Sequence, residues 1–254
     1  MGVFAITGGA TGIGAAVKQQ WLDAGHRVIV VDIKDADVIA DLSTVEGREA
    51  AIAAIRKSAP EGLDGFVPCA GLGPHVSPPS LVASVNYFGA VDVTEGLVDL
   101  LTKRKGSVVM ISSNSAPMPG ANDHYVSLLL EGKEREACEL IDTLDGHTAY
   151  AGSKLALTRW MRQRSSECAK QGVRLNAVAP GITKTPLTDK GMEDPTYGPL
   201  MKDFGDTIPT GKIGSPEQIA NAVNFLLSPA ADFICGAVLF ADGGHDAMLR
   251  PMDF

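Results

Sequence analysis

A tyrosine and a lysine stand four residues apart in the stretch Tyr150-Ala151-Gly152-Ser153-Lys154. On a helix this spacing places both side chains on one face, where the lysine ammonium can bias the ionisation of the phenol. A free phenol has a pKa of about 10, and a nearby positive charge favours phenolate and lowers that pKa. The pair therefore predicts proton exchange with an alcohol or a ketone. An ordinary surface pair on a helix is the alternative interpretation, and the rest of the chain has to distinguish the two.

A glycine-rich turn follows the first apolar segment of the chain. Residues 3–6 predict a short buried strand, residues 7–14 read TGGATGIG, and a helix is predicted to open there and to run through Leu22. Glycines in such a turn let the backbone approach a pyrophosphate, which the free amides and the dipole of the helix N-terminus attract. The turn predicts dinucleotide binding, with expected contacts at Gly8, Thr11, Gly12 and Ile13, and Gly14 completes the glycine pattern.

An acidic residue follows the second predicted strand, residues 28–31. Asp32 stands where dinucleotide-binding folds carry the acid that accepts the adenosine ribose hydroxyls. Its charge would repel the additional phosphate of NADP, so Asp32 favours NAD. Lys34 argues the other way, because a basic neighbour can accommodate that phosphate. An acid that merely stabilises a turn is the alternative interpretation of Asp32.

Strand and helix patterns continue to alternate along the chain. Residues 38–42 predict a brief third strand, residues 46–58 a helix, and residues 65–70 a fourth strand. Alternation of this kind predicts a parallel sheet, in which right-handed crossovers bring ligands to the carboxyl ends of the strands. We therefore expect ligand contacts at Asp41, Leu42, Ala70 and Gly71.

Two further polar groups follow in the next strand-helix unit. Residues 84–101 predict a helix with Asn86 in an early turn, where asparagine is usually a cap. Residues 106–111 predict the fifth strand, and Ser112 and Ser113 end it. Because adjacent residues of a strand point to opposite sides, only one of these serines can face a given site.

The order of these motifs resembles the short-chain dehydrogenase/reductase family. The resemblance covers essentially the whole chain and includes residues 176–181 (NAVAPG) after the sixth strand and Asp242-Gly243-Gly244 after the last, predicted at 237–240. It implies a single Rossmann-type α/β domain over residues 1–254, a doubly wound parallel sheet of about seven strands with helices on both faces. Residues 68–71 (PCAG) replace the asparagine-rich family pattern, so only the close approach at Gly71 carries over there.

The resemblance implies a role for each matching residue. Ser113, chosen over Ser112 by its match to the family pattern, would donate a hydrogen bond to the substrate oxygen. Tyr150 would act as general acid in reduction and as base in alcohol oxidation. Lys154 would bind the nicotinamide ribose and lower the pKa of Tyr150, and Asn86 would hold a water that links Lys154 to solvent.

The segment after the sixth strand is expected to bind both the coenzyme and the substrate. Pro180, Gly181, Ile182 and Thr183 match the family segment that contacts the nicotinamide carboxamide. Residues 182–213 are expected to form a lid over the substrate, although ordinary core packing explains their apolar residues as well. Those residues are Leu187, Met192, Leu200, Met201, Phe204 and Ile208.

The interval between Ser113 and Tyr150 is longer than is common in the family. We assign residues 115–147 to a helical insert, in which residues 128–144 have helical spacing and many charges and predict one or two exposed helices. Most of the family forms tetramers through helices that flank this region, so the insert implies a dimer. The insert, Asp41-Leu42, CAGLGP and Arg250-Pro251 resemble one bacterial subgroup, the 3α-hydroxysteroid dehydrogenases/carbonyl reductases, which are dimeric and use NAD.

The composition argues against several other classes of protein. The formal net charge of −8 disfavours nucleic acid as a partner, and no apolar run approaches the length of a membrane span. The four cysteines and five histidines show no spacing typical of a metal site, which predicts no metal and free thiols in a reducing cytoplasm. We expect a soluble cytoplasmic protein whose partner is a small-molecule substrate.

The predicted activity is NAD-dependent, reversible oxidation of the 3α-hydroxyl of steroids, with reduction of other apolar ketones and aldehydes. One alternative is a carbonyl reductase for a different apolar alcohol, because the lid residues do not encode a steroid. Epimerase-type relatives usually have longer chains and a different glycine spacing. A nucleotide-sensing binding protein is the alternative outside the enzymes, and the joint presence of Ser113, Tyr150 and Lys154 argues against it.

Overall fold

Strands and helices alternate along residues 1–253, the part of the chain that this computed structural model describes. The seven strands are Val3–Thr7 (β1), Arg27–Asp32 (β2), Val38–Ile39 (β3), Gly65–Pro68 (β4), Ser107–Ile111 (β5), Arg174–Pro180 (β6) and Val238–Ala241 (β7). They form one parallel sheet in the order β3-β2-β1-β4-β5-β6-β7. The predicted doubly wound α/β fold is confirmed.

The strand order reverses direction at β1. This strand pairs with β2 on one side, where Thr7 lies beside Val31, and with β4 on the other, where Thr7 lies beside Pro68. The connections leaving the two halves of such a sheet diverge at this point and open a crevice at the carboxyl ends of the strands. The crevice lies where the glycine-rich turn follows β1.

Helices connect the strands and cover both faces of the sheet. The α-helices are Gly12–Asp23 (α1), Val45–Ser58 (α2), Ser80–Ala83 (α3), Ala90–Glu95 (α4), Val98–Arg104 (α5), Asp123–Leu130 (α6), Glu134–Ile141 (α7), Gly146–Lys170 (α8), Pro186–Glu193 (α9), Gly198–Asp206 (α10), Pro216–Leu227 (α11) and His245–Leu249 (α12). A π-helical turn spans Ser84–Gly89, and a 3₁₀ turn spans Pro229–Ala231. No helix within residues 1–253 combines the length and the apolar character that crossing a membrane requires.

Two apolar cores hold these layers together. One core lies between the sheet and α1 with α11, where Trp21 stacks on Phe4 at 4.8 Å and donates a hydrogen bond of 2.7 Å to Asn224. The larger core lies on the opposite face and includes α2, α4 and α8. Because both faces of the parallel strands are covered, β4 and β5 are buried along their whole length, as expected for such a sheet.

Several element boundaries differ from those that the sequence predicts. The third strand ends at Ile39 instead of residue 42, and the fourth ends at Pro68 instead of residue 70. The helix predicted over residues 84–101 starts as the π-helical turn, which continues directly into α4, and it is interrupted at Gly96 and Leu97 before α5. Glycine is a weak helix former, which agrees with the break at Gly96.

The insert is more deeply packed than predicted. Its charged pattern predicted exposed helices, whereas α6 and α7 each bury one apolar face against α3 and α8. The charged outer face is exposed, as the sequence predicts, whereas the apolar inner face, which the prediction did not consider, is buried. Those buried residues are Tyr125, Val126, Leu128, Leu129, Ala137 and Ile141.

Candidate active site

The glycine-rich turn brings two loops into direct backbone contact. A Cβ atom added at Gly8 would lie 2.6 Å from the Cα of Ala70, and one added at Gly14 would lie 2.1 Å from the Gly8 carbonyl oxygen. Gly8 and Gly12 also have φ angles of +70° and +57°, which favour glycine. The turn therefore requires glycine at these positions for reasons of space and of backbone conformation.

The start of α1 leaves its first amides without a side-chain cap. Thr11 occupies the N-cap position in an extended conformation, but its side chain accepts no hydrogen bond from the first turn. Free amides at a helix N-terminus attract anions, and Thr11 leaves those of α1 without a side-chain cap. These features fit the pyrophosphate of a dinucleotide, with Ile13 in the first turn of the same helix.

Asp32 connects the end of β2 to the glycine-rich turn. One carboxylate oxygen accepts a hydrogen bond of 2.9 Å from the amide of Ala10, and the other accepts one of 2.7 Å from the amide of Ile33. The carboxylate thus stands at the crevice, close to the turn that fits a pyrophosphate. Lys34 is exposed beside it.

Further predicted coenzyme contacts lie in the loops after β3 and β4. Leu42 is buried, and a Cβ atom added at Gly89 of the π-helical turn would lie 3.1 Å from the Leu42 Cβ. Asp41 accepts a hydrogen bond from the amide of Ser43 and precedes Thr44, which caps α2. The loop that carries Asp41 and Leu42 therefore rests between α2 and the π-helical turn.

Asn86 fixes the loop after β4. Its side-chain oxygen accepts a hydrogen bond of 2.7 Å from the Leu72 amide, and its nitrogen donates one of 3.0 Å to the Leu72 carbonyl. A Cβ atom at Gly71 would lie 3.4 Å from the Asn86 Oδ1 and 3.8 Å from the Lys154 Nζ. The fold thus brings Gly71, Asn86 and Lys154 together, and the Asn86 side chain is occupied by the backbone of Leu72.

Tyr150 and Lys154 lie one turn apart on α8, as the sequence predicts. The Lys154 Nζ is 5.9 Å from the centroid of the Tyr150 ring and donates a hydrogen bond of 2.8 Å to the carbonyl of Ile111. The helix is held in place at its start by Asp145, whose side chain caps it through the amide of Thr148. The pair therefore meets the carboxyl end of β5, where Ser113 follows.

The two serines after β5 have different partners. The Ser112 hydroxyl lies 2.6 Å from that of Thr158 on α8. Ser113 forms a side-chain hydrogen bond with Tyr150 and accepts a hydrogen bond of 2.9 Å from the Ser115 hydroxyl. Of the two serines, Ser113 is therefore the one beside the phenol.

Burial controls the protonation of the tyrosine and the lysine. It raises the pKa of Tyr150, which the hydrogen bond with Ser113 opposes. Burial also lowers the pKa of Lys154 to about 8, with the Cys69 thiol acting in the opposite direction. The sequence predicted that Lys154 lowers the pKa of Tyr150. Burial outweighs the opposing effect of Ser113 and raises the pKa of the phenol, so the influence of Lys154 on Tyr150 stays a prediction.

The segment after β6 crosses the same end of the sheet. The Gly181 amide donates a hydrogen bond of 3.2 Å to the carbonyl of Ala241, and a Cβ atom at Gly181 would lie 2.8 Å from the Cα of Asp242. The Thr183 hydroxyl donates a hydrogen bond of 3.0 Å to the Gly181 carbonyl. Pro180, the last residue of β6, accepts a hydrogen bond from the amide of Asn114. Residues 180–183 therefore border the crevice next to the loop that carries Ser113.

Two family models match the chain. Residues 2–125 match a model described as short chain dehydrogenase, and residues 139–246 match one described as Enoyl-(Acyl carrier protein) reductase. The 3-alpha-hydroxysteroid dehydrogenase/carbonyl reductase of Comamonas testosteroni is 42% identical over 259 aligned residues, which cover 100% of both chains. The chain belongs to the short-chain dehydrogenase/reductase family.

Two further comparisons agree with this assignment. A crystal structure of the 3-alpha-hydroxysteroid dehydrogenase from Pseudomonas sp. B-0831, complexed with NADH, has a TM-score of 0.97 and 44% sequence identity, covering 99% of this chain and 100% of that one. The acetoacetyl-CoA reductase of a Synechocystis strain is 31% identical, covering 96% of this chain and 95% of its own. As a member of the short-chain dehydrogenase/reductase family, the chain is similar to these proteins along nearly its whole length.

The expected lid residues have different surroundings. Leu200 is 64% exposed. Phe204 contacts His245 with ring centroids 3.9 Å apart, and Ile208 is buried. Leu187 lies beside the loop after β4, since a Cβ atom at Gly73 would be 3.4 Å from its side chain. Met201 of α10 packs against α9, where a Cβ atom at Gly191 would be 2.8 Å from its sulfur, and Met192 is half-buried on α9.

Three residues at the site were not singled out as site residues from the sequence. The thiol of Cys69 lies under the glycine-rich turn, where burial raises its pKa to about 12. Asn114 is buried with an unpaired side-chain nitrogen. Thr185 caps α9 and packs against Gly12, with 3.3 Å between its methyl carbon and a Cβ atom placed there. Only Thr185 had a sequence signal, because a threonine before Pro186 is typical of a helix start.

Proposed function

We propose that this protein is an NAD-dependent oxidoreductase that reversibly oxidises 3α-hydroxysteroids to 3-oxosteroids and reduces other apolar ketones and aldehydes. The observation that carries the proposal is the arrangement of Ser113, Tyr150 and Lys154 at one end of the sheet, beside a turn that fits a pyrophosphate. The likeness to the hydroxysteroid dehydrogenases of Comamonas and Pseudomonas supports the choice of steroids and of NAD.

The coenzyme fits residues on both sides of the crevice. Gly8, Thr11, Gly12 and Ile13 would hold the pyrophosphate, and Asp32 would accept the hydrogen bonds of the adenosine ribose. The negative charge of Asp32 favours NAD over NADP, against the exposed Lys34. Further contacts would come from residues that border the crevice, which are Asp41, Leu42, Ala70, Gly71, Pro180, Gly181, Ile182 and Thr183. Bound NAD supplies the hydride acceptor for oxidation, and its reduced form supplies the hydride donor.

Proton transfer would take place at the Tyr150 hydroxyl. In reduction, Ser113 donates a hydrogen bond to the carbonyl oxygen of the substrate and stabilises the charge that develops on it. The phenol of Tyr150 then gives its proton to that oxygen. In oxidation the phenolate of Tyr150 takes the proton back, and the raised pKa of this residue makes oxidation the direction that benefits from alkaline pH.

Lys154 and Asn86 would support this transfer. With a pKa of about 8, Lys154 is largely protonated at neutral pH and can donate hydrogen bonds to the nicotinamide ribose while keeping its bond to the Ile111 carbonyl. We assign a water relay to the Asn86 region, as expected from the family. The Asn86 side chain is hydrogen-bonded to the backbone of Leu72, so its contribution would be to fix the loop of Gly71 against the π-helical turn.

Residues 182–213 would form the substrate lid. Leu187, which lies next to Gly73 of the loop after β4, would meet the substrate first, and Met201 and Met192, both at α9, would extend the apolar surface of the lid. Their apolar character suits a ring system and supplies few polar contacts, which is consistent with a preference for apolar alcohols.

We further propose a cytoplasmic homodimer. The insert covers the face of α8 and α3 on which related subunits would pair, and apolar side chains remain exposed around β7 and α11, including Phe225 at 43% and Leu239 at 37%. Cys69, Cys138, Cys168 and Cys235 all carry free thiols, which suits a reducing compartment.

The proposed activity can be tested with a panel of alcohols and NADH absorbance. The panel consists of 3α-hydroxysteroids, their 3β epimers and simple secondary alcohols, each with NAD and with NADP. We expect the highest kcat/KM for 3α-hydroxysteroids with NAD, and a loss of about 10³-fold in turnover in Tyr150→Phe. Faster turnover of simple alcohols would favour a carbonyl reductase for another substrate. NADH binding without turnover of any member would support a nucleotide-sensing protein instead.

A further inference from the structure

Arg48 is a buried cation that joins the insert to the catalytic domain. It lies on α2 with 2% of its side chain exposed. Its Nη2 donates a hydrogen bond of 2.7 Å to Glu134 on α7 of the insert, and its Nη1 lies 3.3 Å from Asp92 on α4. Its guanidinium carbon lies 5.8 Å from the ring centroid of Phe88 in the π-helical turn. A single side chain therefore contacts three separate elements.

The charges around Arg48 depend on one another. A buried guanidinium is costly unless it is paired, and removal of one partner leaves the cation under-compensated. Burial raises the pKa of Asp92, and Arg48 is the main opposing influence, so Arg48 favours the charged form of Asp92. The Nε and Nη1 atoms of Arg48 form no hydrogen bond, which leaves Glu134 as its one hydrogen-bond partner within residues 1–253.

The π-helical turn connects this cluster to the active site. Phe88, under the guanidinium, lies two residues after Asn86, whose side chain holds both backbone groups of Leu72. Gly89, the next residue, packs against Leu42. The outer side of the turn thus rests on Arg48, while its inner side borders the loops that carry Gly71 and Leu42. Turns of this wider type are uncommon and are often found at functional sites.

We propose that Arg48, held by Glu134 of the insert, is a positioning residue for the active site: it fixes the π-helical turn and thereby Asn86 and the loops that contact the coenzyme. The insert is then part of the catalytic domain and has a role beyond blocking a subunit interface. The expected effect on catalysis rests on the proposed function, whereas the effect on the turn does not.

The test compares Glu134→Gln with Glu139→Gln. Glu139 lies on the same helix, is 66% exposed and pairs with the exposed Arg135, so its variant controls for loss of a surface charge on α7. Amide hydrogen exchange is measured for residues 84–89, and kcat and KM are measured on the best alcohol of the panel. In Glu134→Gln we expect about tenfold faster exchange at residues 84–89 and a fall in kcat of about fivefold, because a neutral amide holds the buried cation less firmly and leaves Asp92 as the one carboxylate paired with it within residues 1–253.

Arg48→Lys is the second variant. Lysine keeps the charge but lacks the planar fork that contacts two carboxylates and an aromatic ring, so we expect the same change in exchange. A fall in unfolding stability with unchanged exchange at residues 84–89 and unchanged kcat would show a purely structural role and overturn the proposal. The exchange measurement uses no substrate. An enzyme that is inactive on the whole panel would therefore refute the proposed function. The exchange result would still decide whether Arg48 positions the π-helical turn.

Discussion

The Nζ atom of Lys154 donates a hydrogen bond of 2.8 Å to the backbone carbonyl of Ile111, the last residue of β5. The ammonium is otherwise desolvated, and its pKa falls from 10.5 to about 8. A cation whose folded-state pKa is lowered costs stability wherever it is protonated in the folded state. The cost is fully present below about pH 8 and disappears as the pH rises toward 10.5.

For this reason we expect Lys154→Met to be more stable than the parent at pH 7, by about 2 kcal/mol, because the loss of a buried charge outweighs the loss of one hydrogen bond. The difference should shrink as the pH approaches 10.5. Urea unfolding at several pH values measures it. Lys202→Met, at an exposed position of α10, is the control and should change stability little. If Lys154→Met is less stable than the parent at pH 7, the buried ammonium of Lys154 does not cost stability as proposed.

The raised pKa of Tyr150 should separate the two directions of the reaction. Oxidation needs the phenolate, which is scarce at neutral pH, whereas reduction uses the abundant phenol. We expect the single-turnover rate of oxidation to rise between pH 7 and 9. The single-turnover rate of reduction should not rise over the same interval. Tyr150→Phe should bind NADH normally, shown by fluorescence, and lose about 10³-fold in turnover in both directions. Near-normal turnover in that variant would remove Tyr150 from its proposed role.

The different partners of Ser112 and Ser113 allow a matched test. Ser113→Ala should lower kcat by about 10²-fold, because the substrate oxygen loses a hydrogen-bond donor in the transition state. Ser112→Ala removes only the contact with Thr158 and should leave kcat nearly unchanged. It should cost about 1 kcal/mol of stability as measured by urea unfolding. The opposite ranking of the two kcat values would reassign the site to Ser112.

Asp32 should govern the choice of coenzyme. Asp32→Asn keeps an acceptor for the Ala10 amide and removes the charge that would repel a ribose phosphate. We expect the ratio of kcat/KM for NAD to kcat/KM for NADP to fall about tenfold, because the variant no longer repels the ribose phosphate of NADP. Asp35→Asn, on the exposed loop three residues later, is the control. An unchanged ratio in Asp32→Asn would show that this carboxylate only organises the glycine-rich turn.

Gly152 should be intolerant of alanine despite its position inside a helix. Helix propensity alone predicts that Gly→Ala stabilises by about 1 kcal/mol. A Cβ atom at Gly152, however, would lie 2.7 Å from the ring of Tyr125, so we expect a net loss of about 1 to 2 kcal/mol. Gly205→Ala on α10 is the control, since its Cβ would meet nothing closer than 3.6 Å. The penalty at Gly152 should shrink in a Tyr125→Leu background, and equal penalties in both backgrounds would exclude the contact as its cause.

Much of the fold could be predicted because its signals are local. The turn after β1 requires glycine for steric reasons, Pro216 and Ser215 mark the start of α11, and Gln218 completes the capping box there. The alternation of strands and helices then fixes a parallel sheet. Boundaries were less predictable where packing decides them, as at β3, which is only two residues long.

The sequence could predict which proposed site residues lie close together, but not their electrostatics. Spacing along α8 places Tyr150 beside Lys154, yet the direction of their pKa shifts depends on how much water surrounds them, and no local pattern encodes this. The inner face of the insert was missed for a similar reason. The partners of Tyr125 and Glu134 lie on α8 and α2, far away in the chain, and only the tertiary structure brings them together.

The contact between Tyr125 and Gly152 also restricts how this protein can evolve. A chain that lost the insert would expose bare backbone on the helix of Tyr150, while a chain with alanine at position 152 could not accept the Tyr125 ring without moving that helix. A change at either position therefore alters the cost of a change at the other: the Tyr125 ring favours glycine at position 152, and a smaller side chain at position 125 would relieve that preference.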